Sequence, residues 1–193
     1  MLVQTLQFLI RTISDLFVLV LLLRFYLQVA RIPFRHPLAQ FVMACTNWLV
    51  LPVRRVLPSV RGYDSATIAC AWLASLLAIV AILLLGPMPY SFASPHNWLM
   101  LTLLAVLTLF SQSLYLLMGA VLVQAIMSWV NPYNGLAPIL SALTRPFLAP
   151  FARARVGGVD LSPLVLLLIV QVILMLPVRV LEGTFLSQLQ LAL

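Results

Sequence analysis

Apolar residues run almost unbroken through four stretches of the chain, and polar residues collect between them. The stretches lie at roughly 9 to 30, 65 to 86, 107 to 130 and 162 to 181, each close to the ~20 residues that a helix needs to cross a bilayer. From Asn97 to Thr144 there is no Asp, Glu, Lys or Arg. No polar face remains that a water-soluble helix would need, so the pattern predicts an all-α polytopic membrane protein with four transmembrane helices.

The pattern occurs twice. An offset near 98 lays Pro33 on Pro132, Leu38 on Leu136, Thr46 on Thr144, Pro52 on Pro150 and Arg55 on Arg153. Further on, Gly62-Tyr63-Asp64 falls on Gly158-Val159-Asp160. Each unit, residues 1–90 and 98–190, therefore holds a leading helix, a Pro-bounded segment, a Gly-x-Asp turn and a trailing helix. Two spans per unit is an even number, so the copies enter the membrane in the same direction. They are parallel repeats, unlike the inverted pairs of many secondary transporters.

The segments between the spans of each copy form short helices of their own. Leu38, Phe41, Val42, Cys45, Trp48 and Leu49 recur with helical spacing between Pro37 and Pro52, and Leu136, Ile139, Leu140, Leu143 and Phe147 repeat the stripe. At about 15 residues each is too short to span. Each is expected to lie as an amphipathic helix in the membrane interface, the alternative being a helix packed on the bundle. These elbows carry Arg31, Arg35, Arg54, Arg55 and Arg61 in the first copy and Arg145, Arg153 and Arg155 in the second, whereas Pro87 to His96 has none. The positive-inside rule puts both elbows in the cytoplasm and both termini outside.

Long apolar leaders precede both first helices. Asn97 to Val130 as one helix would reach roughly 50 Å against a core of about 30 Å. A break or steep tilt is therefore expected near Ser111-Gln112-Ser113, with 98–110 either a separate re-entrant or interfacial helix or part of the span. Arg11 and Asp15 are placed to pair four residues apart, and Arg179 and Glu182 likewise near the outer boundary.

Composition narrows the function. Of 193 residues 64% are hydrophobic and 8% charged, and the net charge of +7 comes from arginine alone. Those arginines sit in particular loops instead of spreading over a soluble face, which argues against direct nucleic-acid binding. Cys45 and Cys70 lack metal-ligand spacing. Arg11, Asp15 and Arg24 interrupt the first apolar run and no small-residue cleavage site follows, so that run is expected to be a retained helix and not a signal peptide. No Gly-rich phosphate loop, Ser/His/Asp set or His-x-x-x-His helix occurs, and His36 and His96 fall in different loops. Neither enzyme activity nor a cofactor or metal is expected.

Leu21-Leu22-Leu23-Arg24, Pro37-Leu38-Ala39-Gln40-Phe41, Pro52-Val53-Arg54-Arg55-Val56-Leu57-Pro58 and Asp64-Ser65-Ala66 stand in order along the first copy. In the second, Ser128-Trp129-Val130-Asn131-Pro132-Tyr133-Asn134, Leu143-Thr144-Arg145-Pro146, Pro150 and Gly157-Gly158-Val159-Asp160-Leu161-Ser162-Pro163 do the same. Together they resemble the YggT family of bacterial inner-membrane proteins over almost the whole chain. The resemblance implies links to osmotic and cation homeostasis, to division-site organisation and, in plastids, to haem assembly and nucleoid distribution. It supplies no catalytic residues. Gln28 to Phe34 replaces the Ser-Trp-Val-Asn-Pro-Tyr-Asn element in the first copy, so any role of that element belongs to the second.

Three groups of residues are candidate sites. Asp64 and Asp160 occupy the same turn of both copies and act as helix caps, as a paired cation or proton site, or as partners of Arg61 or Arg155. Arg24, Gln28, Gln124, Ser128 and Gln171 form either a polar seam between helices or ordinary interhelical hydrogen bonds, with Arg24 snorkelling to headgroups or facing the bundle interior. Arg54, Arg55, Arg145, Arg153 and Arg155 are candidates for anionic lipid headgroups and for a partner, either a second copy or another membrane protein. These features point to a non-enzymatic membrane scaffold or assembly factor. The alternative is a small oligomeric ion channel or transport component acting in potassium and osmotic balance.

Overall fold

A computed structural model describes residues 1–33, 35–59, 62–86, 94–131, 135–151, 155–156 and 159–191. Among the described residues seven α-helices follow one another: α1 (Leu2–Val29), α2 (Pro37–Val56), α3 (Ser65–Leu84), α4 (Pro95–Val130), α5 (Ala137–Leu148), α6 (Ser162–Ile173) and α7 (Arg179–Leu191). A π-helical turn, Leu174–Val178, contains Pro177 and joins α6 to α7 in one rod. The ring of Pro177 has no N–H to give the preceding turn, and widening that turn accommodates it without ending the helix. Four helices are long and apolar enough to cross a membrane: α1, α3, α4 and the α6–α7 rod.

The elbow helices differ from each other. α2 runs 20 residues, through Pro52 to Val56, beyond the expected end at Pro52. α5 has 12 residues followed by a short 3-10 turn, Ala149–Phe151. The turn before α6 includes a two-residue antiparallel ladder, β1 (Arg155–Val156) with β2 (Val159–Asp160).

The expected break in the third span does not occur, because α4 is a single helix of 36 residues. Ser111 and Ser113 donate their hydroxyls to the carbonyls of Leu107 and Leu109 at 2.9 Å, so they satisfy themselves within the helix and leave its ladder intact. Segment 98–110 thus lies within the first half of α4. At 1.5 Å per residue α4 is about 54 Å long.

Each copy has a core of its own, and α1 and α3 of the first copy also pack against α4 of the second. Leu21 of α1, Val50 of α2 and Ala66, Cys70 and Ala71 of α3 form one core. Small buried residues along α3, ending at Ser75, let α1 approach closely, which is how helices associate where apolar burial gives no driving force. Leu117 and Val121 of α4 with Leu166, Val170 and Leu174 form the second copy's core. A third cluster links the copies at the elbows, with Leu27, Ile32, Ala39 and Val42 packed against Ile139 of α5.

Candidate functional site

The elbow end of the first copy holds a buried polar cluster. Arg24 is only 7% exposed, in the interior of the bundle, and donates to the Thr46 hydroxyl at 2.7 Å and the Asn47 amide oxygen at 2.9 Å. Thr46 passes its own proton to the Val42 carbonyl, so its hydroxyl is fully used. A buried guanidinium must be paired or hydrogen-bonded to be tolerated, and α2 supplies the acceptors by laying Thr46 and Asn47 against α1.

Asp64 stands at the entrance to α3 and is fully buried. Its expected partner Arg61 lies outside the described residues. Its Oδ2 accepts from the Arg54 guanidinium and, at 2.7 Å, from the Thr67 hydroxyl. Burial pushes the Asp64 carboxyl up, but Arg54 and Thr67 outweigh it and hold the acid below its ordinary range. Its Oδ1 is buried without a hydrogen-bond partner among the described residues, while Arg24 is near enough for the charges to attract. Gly62 makes the turn possible: its φ of +85° belongs to the left-handed region. Gln28 reaches this turn, its amide donating to the Gly62 carbonyl at 3.4 Å.

In the second copy the same positions carry different charges. Thr144, buried like Thr46, donates to the Leu140 carbonyl at 2.8 Å and touches the Gln124 side-chain amide of α4. Gln124 thus stands where Arg24 stands, while Arg145 follows Thr144 where Asn47 follows Thr46. The arginine has moved from the spanning helix to the elbow. Arg145 is exposed, and Gln124, Ser141, Thr144, Arg145, Asp160 and Ser162 line a pocket of about 330 Å³. Asp160 is exposed, unlike Asp64, and its Oδ1 accepts from the Ser162 backbone N–H at 3.0 Å, two residues on. The two acids are therefore not an equivalent pair: one is sealed and the other caps a turn in solvent.

The remaining candidates fall as follows. Ser128 and Gln171 lie on exposed faces, so Arg24, Gln28, Gln124, Ser128 and Gln171 do not converge as one seam; helical phase sends two of them outward. Arg54 is paired with Asp64 while its own side chain stays 41% exposed, and Arg55, one residue on, is exposed and outside that pair. Arg153, Gly158 and Pro132 to Asn134 lie outside the described residues. Arg155 belongs to β1, Asn131 ends α4 with its N–H on the Met127 carbonyl, and Trp129 is in the last turn of that helix. Pro146 lies inside α5, Pro150 in the turn after it and Pro163 in the first turn of α6. His36 caps α2, its Nδ1 accepting from the Leu38 N–H at 3.2 Å. Among the described residues Arg11 and Asp15 approach to 4.0 Å, but Arg179 and Glu182 form no ion pair. Thr46, Asn47, Thr67 and Thr144 are not among the candidates that the sequence offers; the Thr46 and Thr144 match between copies and the Leu143-Thr144-Arg145-Pro146 element are their traces in it.

Four spanning helices, two Pro-bounded elbows and a polar lock between leading helix and elbow in each copy define a polytopic helical membrane protein of duplicated plan. The profile of the CCB3/YggT family matches residues 3–85 and 103–181, one segment for each copy, and the chain belongs to that family. It is 37% identical over 188 residues to the uncharacterized protein YggT of Escherichia coli K12, covering 94% of this chain and 93% of that one. An uncharacterized protein of Vibrio alginolyticus, described by its place 3' of proC, is 36% identical over 169 residues, 84% of this chain and 88% of the other. An uncharacterized protein of Pseudomonas aeruginosa is 34% identical over 177 residues, 89% and 87% of the two chains. No solved structure matches.

Proposed function

We propose that the chain is a non-enzymatic scaffold or assembly factor of the bacterial inner membrane, serving envelope and division organisation or osmotic homeostasis, with its elbows toward the cytoplasm. The observation that carries this reading is the makeup of the elbows. Phe41 and Trp48 on α2 are 62% and 66% exposed and Phe147 on α5 is 42% exposed, while Arg55 and Arg145 lie in the last turns of the same helices. Aromatic and basic side chains together suit a headgroup layer, each arginine adding about 1 kcal/mol near an anionic surface. Arg153 and Arg155 extend the basic set in sequence.

Replacing Arg55, Arg145, Arg153 and Arg155 with Gln, while leaving Arg54 on Asp64, tests it. Anionic phospholipid retained by the purified protein, and crosslinks to itself or to foreign partners in native membranes, should both fall several-fold with folding intact. Unchanged recovery of both would remove the reading. The competing reading is a small oligomeric channel or transport component for potassium or other cations. It is supported by the unpartnered Oδ1 of Asp64 and weakened by the arginines beside that acid. Cation flux into liposomes holding the purified protein separates the two readings.

A further inference from the structure

The opposite end of the bundle holds a second polar region that the proposed scaffold role does not use. Two adjoining cavities of about 370 and 510 Å³ lie among α1, α3, α4 and α7 and share Arg11, Asp15, Thr108 and Glu182 on their walls. Arg11 stands about 27 Å along α1 from its elbow end, and Glu182 about 30 Å along the α6–α7 rod, which puts both near the far boundary of a ~30 Å core. Ser75 forms the floor about 15 Å along α3. It is 3% exposed, and its hydroxyl has no hydrogen-bond partner among the described residues.

Charges in a spanning segment are costly and call for partners. Here the partners are incomplete. Arg11 meets Asp15 only at 4.0 Å, with the Gln112 side chain also hydrogen-bonding to Asp15, and neither Arg179 nor Glu182 has an ion pair among the described residues. Two acids and two arginines surround one space. A simple cation there would meet two guanidinium groups and a simple anion two carboxylates, so the arrangement suits a ligand that carries both signs.

We propose that this cleft binds a small zwitterion, its ammonium group held by Asp15 and Glu182 and its anionic group by Arg11 and Arg179. Two sources share that chemistry: the headgroup of a phosphatidylethanolamine-type lipid, and a free amino acid. Apolar residues beside the charges, among them Ile79, Ile82 and Leu104, give a lipid's first methylenes a place to lie.

The test uses the full chain in a maltoside detergent, with thermal shift and native mass spectrometry. The probes are dihexanoyl phosphatidylethanolamine, dihexanoyl phosphatidylglycerol and 4-aminobutyrate. A saturable response to the first or third, and none to phosphatidylglycerol, is expected; which of the two responds identifies the source. Asp15→Asn with Glu182→Gln should weaken binding at least tenfold. Gly183→Leu offers an independent block, because Gly183 lines the cleft and a Cβ there meets nothing within 4 Å, so the larger side chain enters open space. No saturable response to either zwitterion, an equal response to phosphatidylglycerol, or affinity unchanged in Gly183→Leu overturns the proposal.

Discussion

Arg24 of the first span donates to Thr46 of the first elbow, whereas Thr144 of the second elbow is itself the donor to the Gln124 side-chain oxygen. In each copy a threonine hydroxyl that also bonds its own helix joins the elbow to the spanning helix. The energies differ, since a hydrogen bond to a buried charge contributes about 1.5–3 kcal/mol and a neutral one about 0.5–1.5. Thr46→Val should therefore destabilise the protein about twice as much as Thr144→Val. Thermal unfolding in one detergent compares them, and equal losses would contradict the assignment.

Asp64 and Asp160 should likewise separate under mutation. Asp64→Asn leaves Arg54 facing a neutral amide in a buried site and should cost about 1–3 kcal/mol. Asp160→Asn keeps an Asx-type acceptor in an exposed turn and should cost less than about 1 kcal/mol. Unfolding midpoints of the two single variants measure this.

The lowered pKa of Asp64 gives a direction in pH. With the folded value below the ordinary 3.8, the carboxylate contributes stability that is present above that unfolded value and lost as pH falls through the folded one. The wild type should lose stability in that acid window, and Asp64→Asn should flatten this part of the profile. An acid series of melting curves would show whether it does.

Among the described residues two turns carry left-handed backbone, and they should respond in opposite ways. Arg31, at φ 54°, closes α1 with the Ile32 N–H on the Leu27 carbonyl and its own N–H on the Gln28 carbonyl, a position glycine fills most easily. Arg31→Gly is expected to be neutral or to stabilise by up to about 1 kcal/mol, whereas Gly62→Ala should destabilise by about 1. Both are read as shifts in melting temperature.

The continuity of α4 is measurable as a length. Spin labels at residues 97 and 130 should stand about 50 Å apart at their backbones. Pulsed dipolar spectroscopy giving a much shorter distance would restore the break expected from the sequence.

That expectation shows where sequence reading stops. The four spans, the elbows and the copies follow from apolar runs and the spacing of Pro and Arg, because lipid restricts a spanning chain to helices with satisfied backbones. Whether Ser111 and Ser113 bond within their helix or interrupt it depends on rotamers that spacing does not carry. Choosing Arg54 over Arg55 as the partner of Asp64 needs the helical phase of α2 past Pro52, a residue that looked like its end. The far cleft collects side chains from four helices distant in sequence, and no local motif marks it.

The exchanged positions of arginine and amide between the copies bear on how the duplicated chain can vary. A protein made of two first halves would have two sealed locks and no open elbow pocket; one made of two second halves would have no buried guanidinium to clamp either elbow. Duplication has here produced complementary parts, so the halves are no longer spare copies of each other.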